Sequence, residues 1–125
     1  MNILIVDDSK FMRTILRSML SDMGFLDIYE ATNGWEAIRK TYIVNPELIF
    51  MNLVMPEMDG FEASKQILEC FNDAKIIIVT SDKYSEIEKR MEGIKMYDFI
   101  SLPIEEEKLR TIMIECEEGL EQVQL

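Results

Sequence analysis

The chain has 125 residues, 48% of them apolar, with 24 acidic against 13 basic side chains, a net charge of −11 and no histidine. That length suits one domain around one core, and that acidity disfavours direct contact with nucleic acid or an anionic membrane surface. The absence of histidine excludes histidine-based triads, histidine-ligated metals and any phosphohistidine role.

Short apolar runs alternate with amphipathic stretches from end to end. Asn2–Val6 reads as a buried strand, and Met12, Ile15, Leu16, Met19, Leu20 and Met23 then recur at helical spacing, with Gly24 fitting the helix end. Asp27–Ala31 is a weaker strand, expected at a sheet edge. Asn33-Gly34 opens a second helix through about Val44, closed by Asn45-Pro46. Leu48–Met51 is a third strand, and Phe61, Ser64, Ile67, Leu68 and Phe71 mark one face of a third helix. Lys75–Thr80 is the clearest buried strand. Tyr84, Ile87, Met91 and Ile94 indicate a fourth helix, Tyr97–Ser101 a fifth strand, and Leu109, Ile112, Met113, Cys116 and Leu120 a last helix. Strands this continuously apolar, each followed by a helix, predict an α/β fold with a parallel sheet covered on both faces.

The expected organisation is a single domain over residues 1–120, a frayed end over 121–125 and no output domain. Cys70 and Cys116 fall in predicted helices among apolar neighbours and read as buried free thiols in a reducing compartment. No apolar run approaches the ~20 residues that span a bilayer, and no basic stretch precedes the first strand, so a cytoplasmic location is expected. The ten methionines sit mostly at core spacing.

In a parallel α/β sheet, ligands collect beyond the carboxyl ends of the strands. Asp7-Asp8 follow the first strand, where Asp8 or Ser9 can cap the next helix and the paired acids can also hold a hard divalent ion. Thr80-Ser81 end the fourth strand, either as a plain strand end or as a hydroxyl beside the site. Met55-Pro56-Glu57-Met58-Asp59-Gly60 has the composition of a turn.

Taken together, Val6-Asp7-Asp8-Ser9, Leu48-Ile49-Phe50-Met51-Asn52 with the Met55–Gly60 turn, Val79-Thr80-Ser81 and Pro103 resemble a response-regulator receiver domain of the CheY-like, stand-alone type. The resemblance covers the whole chain and implies a doubly wound (βα)5, flavodoxin-like sheet in the order 2-1-3-4-5. It places Asp7 and Asp8 at the acidic, metal-binding positions, Thr80 at the switch hydroxyl and Phe99 at the switch aromatic. Asn52 stands at the phosphoacceptor aspartate and Leu102 at the active-site lysine. An amide nitrogen has a delocalised lone pair and is a poor nucleophile, so no acyl phosphate is expected at Asn52. Mg²⁺ binding at Asp7, Asp8 and Asn52 is expected to be weak. Losing one acid together with the lysine leaves the net charge of the site unchanged, which favours a naturally degenerate receiver over a single laboratory substitution.

The leading expectation is therefore a non-enzymatic pseudo-receiver that binds another protein without phosphorylation. Its expected surface is the fourth helix, fifth strand and fifth helix, the face the family commonly uses, with Tyr84, Met91, Lys95, Tyr97 and Glu106 as candidate contacts. The resemblance implies a histidine kinase, a flagellar or sporulation component, or a second copy of the chain as partner. The alternative is a conventional phospho-accepting regulator with its site blocked by aspartate-to-asparagine exchange, which an aspartate at position 52 would reveal. A flavodoxin needs a hydroxyl- and glycine-rich phosphate loop after the first strand, and Asp8-Ser9-Lys10-Phe11-Met12 lacks one. Phosphatases of the haloacid dehalogenase type space their acids as Asp-x-Asp, whereas Asp7 and Asp8 are adjacent.

Overall fold

The computed structural model describes the backbone of residues 1–124 and side chains through Gly119; helical backbone continues through Gln124, where a frayed end was expected over 121–125, and position 125 lies outside the described residues. The elements follow in the order β1 (Ile3–Val6), α1 (Lys10–Asp22), β2 (Ile28–Ala31), α2 (Gly34–Val44), β3 (Leu48–Asn52), α3 (Gly60–Cys70), β4 (Lys75–Thr80), α4 (Tyr84–Ile87), β5 (Asp98–Ser101) and α5 (Glu106–Gln124). All neighbouring strands pair in parallel, in the sheet order β2-β1-β3-β4-β5. The weak second strand is indeed an edge.

Strand alternation divides the apolar residues into two layers. Leu4, Val6, Ile49, Met51, Ile76 and Ile78 face α2, α3 and the α4 region, packing with Ala37, Ala63, Ile67, Ile87 and Met91. Ile3, Ile5, Leu48, Phe50, Ile77, Val79 and Ile100 face the other way, against Leu16 and Leu20 of α1 and Leu109, Ile112, Met113 and Cys116 of α5. With both faces covered, the central strands β1, β3 and β4 have no polar side, which is why they read as nearly unbroken apolar runs.

Local chemistry sets the helix ends. The Ser9 hydroxyl accepts from the Met12 amide at 3.3 Å and Asn33 Oδ1 from the Glu36 amide at 2.9 Å, so the first cap is Ser9 rather than Asp8. Gly24 (φ +95°) takes the left-handed conformation just past α1, and Asn45 (φ 51°) does the same after α2. Asp59 caps α3, accepting from the Glu62 amide at 3.0 Å.

Three sequence expectations need correction. The fourth helix is a single turn, because Lys83 offers no side-chain cap and the chain beyond Glu88 tightens into turns, with Glu92 and Ile94 bonding three residues back and Gly93 at φ +80°. Phe71 lies just past α3 as its cap residue rather than within the helix, although it packs against the same core. Cys70, the last residue of α3, is exposed, whereas Cys116 is buried as expected.

Candidate functional site

The parallel register brings the carboxyl ends of β1, β3 and β4 together. Val6 pairs with Met51 and Asn52 with Val79, so the chain leaves β1 at Asp7 beside Asn52 and leaves β4 at Thr80 one step further on. Thr80 pairs with Ser101, which delivers Leu102 to the same end. The structure thus gathers Asp7, Asn52, Thr80 and Leu102 as the strand order requires.

Asp7 is 8% exposed, whereas Asp8 is exposed to solvent. One Asp7 carboxylate oxygen accepts from the Ser9 amide at 2.9 Å. Burial pushes its pKa above the usual carboxylate range and the nearby Asp8 charge adds to this, partly offset by the Ser9 amide and the Arg13 guanidinium. Arg13 itself donates to the Asp7 main-chain carbonyl at 2.8 Å and pairs with Glu30 at 2.8 Å.

Asn52 is half-buried at the end of β3, and its amide nitrogen donates to Asp7 Oδ1 at 3.4 Å and to the Val54 carbonyl at 3.1 Å. Both partners are acceptors, so the nitrogen and not the oxygen must face them. Gly60 underlies this geometry: a Cβ there would lie 2.2 Å from the Asn52 carbonyl oxygen, and the Gly60 amide donates to the Leu53 carbonyl at 2.9 Å. Only glycine lets α3 begin so close to the strand end.

The Asp7 and Val54 oxygens that could face a hard divalent ion are already engaged by hydrogen bonds. Such ions require converging oxygens, with carboxylates supplying the charge. Among the described residues no group of three or more acidic, cysteine or histidine side chains forms such a set, and amide hydrogens stand between the Asp7 and Val54 oxygens.

The switch positions are equally self-contained. Thr80 is 1% exposed and its hydroxyl accepts from the Asp82 amide at 3.2 Å. Leu102 packs its partly buried side chain against the layer shared with α1 and α5, while its amide donates to the Thr80 carbonyl at 2.9 Å. The peptide bond from Leu102 to Pro103 is cis. Phe99 is half-buried and meets Tyr84 edge to face, with ring centroids 5.4 Å apart.

On the expected partner face, Tyr84 (43% exposed), Tyr97 (37%), Lys95 and Glu106 reach solvent. Met91 does not: at 5% exposure it belongs to the core beneath α4. Its apolar spacing marked burial rather than contact. Burial also pushes the Tyr97 pKa up to about 12, with the neighbouring Cys116 adding to the shift.

Some contributors escaped sequence reading. Arg13 lies one turn into α1, so its spacing from the Ser9 cap was the available signal. The role of Val54 rests on a loop carbonyl and left no trace in side-chain identity. Asn33 reaches Glu57 (φ 69°) at 3.4 Å, and the Gly34 amide donates to the Met58 carbonyl at 3.3 Å, so the start of α2 braces the β3–α3 loop.

Comparison with known proteins agrees with this geometry. Residues 3–114 match the response regulator receiver domain. The chain is 35% identical over 111 residues to the chemotaxis protein CheY of Listeria monocytogenes, covering 87% of this chain and 92% of that one. It is 38% identical over 105 residues to CheY of Thermotoga maritima, covering 82% and 86%. Among solved structures, the receiver domain of AraT, a response regulator from Geobacillus stearothermophilus, superposes with a TM-score of 0.88 at 25% identity over 99% of this chain and 98% of that one. The strand order, the acid pair, the Thr80 position and these matches agree: the chain belongs to the response regulator receiver domain family.

Proposed function

We propose that this receiver works as a phosphorylation-independent interaction module within two-component signalling. The observation that carries the reading is Asn52, an amide at the end of β3 whose nitrogen is committed to Asp7 and Val54. An acyl phosphate requires a carboxylate oxygen as nucleophile, and here the acceptor position offers none. Leu102 supports the same conclusion, because its side chain packs into an apolar layer and brings no positive charge to the site.

A conformational equilibrium shifts only when a ligand prefers one of its states. Without a phosphoryl group, Thr80 keeps its bond to the Asp82 amide and Phe99 its contact with Tyr84. The α4–β5–α5 surface is then presented in one arrangement, with Tyr84, Lys95, Tyr97 and Glu106 as its exposed contacts. The partner in this reading is a protein: a histidine kinase, a flagellar or sporulation component, or a second copy of the chain. With a net charge of −11, the surface favours partners bearing basic patches.

Intact mass after incubation with acetyl phosphate and Mg²⁺ tests this reading, with the natural chain run beside Asn52→Asp and Asn52→Asp/Leu102→Lys. The expected result is a phosphoryl adduct on the aspartate-bearing forms alone. An adduct on the natural chain defeats the proposal.

A further inference from the structure

We propose that the Asn52 side chain is a neutral bridge that stands in for a divalent cation, so that the strand ends hold together without Mg²⁺. The Asn52 amide nitrogen carries two hydrogens, and two oxygen acceptors face it: Asp7 Oδ1 at 3.4 Å and the Val54 carbonyl at 3.1 Å. These acceptors come from the end of β1 and from the β3–α3 loop. One side chain therefore links the end of β1 to the β3–α3 loop.

A carboxylate at position 52 has no hydrogen to offer. It would turn two more oxygens toward the Asp7 carboxylate and the Val54 carbonyl, leaving negative and partly negative atoms clustered in a half-buried site. Such a cluster needs a cation between its oxygens. The amide replaces that requirement with two hydrogen bonds, one of them to a charged acceptor. Rotating the amide by half a turn would set its carbonyl oxygen against both acceptors, so the orientation is fixed by its partners.

The surroundings hold the bridge in place. Gly60 admits α3 against the Asn52 main chain and donates to the Leu53 carbonyl at 2.9 Å, which fixes the backbone on either side of the amide. The β3–α3 loop is braced again where Asn33 meets Glu57 and Gly34 meets the Met58 carbonyl. The Ser9 amide holds Asp7 Oδ1 from the other side at 2.9 Å. Coordination through the Asp7 and Val54 oxygens would first have to displace both amide hydrogens. This proposal does not depend on which protein docks at the α4–β5–α5 surface, and its test uses neither phosphodonor nor partner.

Titrating MgCl2 into the isotope-labelled full chain, with Mn²⁺ as a paramagnetic probe, reads the bridge directly. In the natural protein the amide resonances of Asp8, Val54 and Met55 should show neither saturable shifts nor selective broadening. The Asn52 side-chain NH2 should exchange slowly with solvent. Asn52→Ala removes the bridge and adds no charge, and Asn52→Asp removes it and adds one; both should gain a saturable response at the same resonances, the aspartate form the stronger. A saturable response in the natural chain, or rapid exchange of the Asn52 NH2, overturns the proposal. So does an Asn52→Ala protein that folds and stays silent to both ions, because the missing charge rather than the bridging amide would then explain the silence.

Discussion

Replacing Gly60 with alanine tests how tightly α3 is seated on the strand end that carries Asn52. The added Cβ would lie 2.2 Å from the Asn52 carbonyl oxygen and 2.9 Å from both the Asn52 carbonyl carbon and Leu53 Cα. All three are main-chain atoms, so no rotamer change relieves the overlap and the backbone must yield by close to an ångström. Overpacking of this kind costs about 1–3 kcal/mol, and more when the neighbour is rigid. Alanine's helical preference over glycine returns at most ~1 kcal/mol. The net expectation is a loss of about 2 kcal/mol, or a fall in melting temperature of roughly 5–10 °C for a domain of this size. Gly119, inside α5 with no atom within 4 Å of its would-be Cβ, is the matched control. Gly119→Ala should be neutral or stabilise by up to ~1 kcal/mol. Thermal and urea unfolding of both variants, read by circular dichroism, gives the comparison. A Gly60→Ala protein as stable as the natural chain would refute the close seating of α3, and with it the fixed geometry of the loop around Asn52.

Further outcomes follow from the charge arrangement. Burial and the Asp8 charge raise the Asp7 pKa, so the ionised carboxylate costs stability above that raised value, and the cost is relieved as pH falls through it. Asp7→Asn keeps an oxygen for the Ser9 amide and should melt higher than the natural protein at pH 7, with the advantage fading in acid; an advantage that grows in acid would contradict this. For Glu30, burial opposes ionisation, but the hydrogen bonds from Arg13 and Arg17 outweigh it and hold the pKa below its usual value. That stabilisation is present above the usual glutamate pKa and is lost as pH falls through the lowered one. Glu30→Gln should therefore cost about 1 kcal/mol at neutral pH in denaturant unfolding, and little below the lowered pKa. Ultraviolet titration should find one tyrosine ionising near pH 12, and Tyr97→Phe should remove that transition.

The sheet was legible because burial on both faces leaves an unbroken apolar run for each central strand. Helix ends were legible where a single residue does the work, as at Asn33, Asn45 and Gly24. The α4 region was not. Met91 and Ile94 continue the helical spacing of Tyr84 and Ile87, yet Lys83 provides no cap and Gly93 turns the chain, so apolar spacing alone overextended the helix and put Met91 on the surface. Cys70 misled for a related reason: its neighbours are apolar, but it is the terminal residue of α3 and faces outward. At the site, the residues that meet were predictable from strand order, since Asp7 follows β1 directly and Asn52 and Thr80 end β3 and β4. The hydrogen-bond pattern was not, because the Val54 carbonyl is a feature of loop conformation and the Arg13 contact depends on the packing of α1 against β1.

In the proposed mode of action no phosphoryl-like ligand moves Thr80 or Phe99. Beryllofluoride is a phosphoryl mimic that attaches to a carboxylate, so amide spectra recorded with beryllofluoride and Mg²⁺ read this outcome at the residues concerned. Resonances of Thr80, Tyr84 and Phe99 should stay unchanged in the natural chain and shift clearly in Asn52→Asp. Shifts at Thr80 and Phe99 in the natural chain would overturn phosphorylation independence, because the site would then still take a phosphoryl-like ligand and pass its effect to the α4–β5–α5 surface.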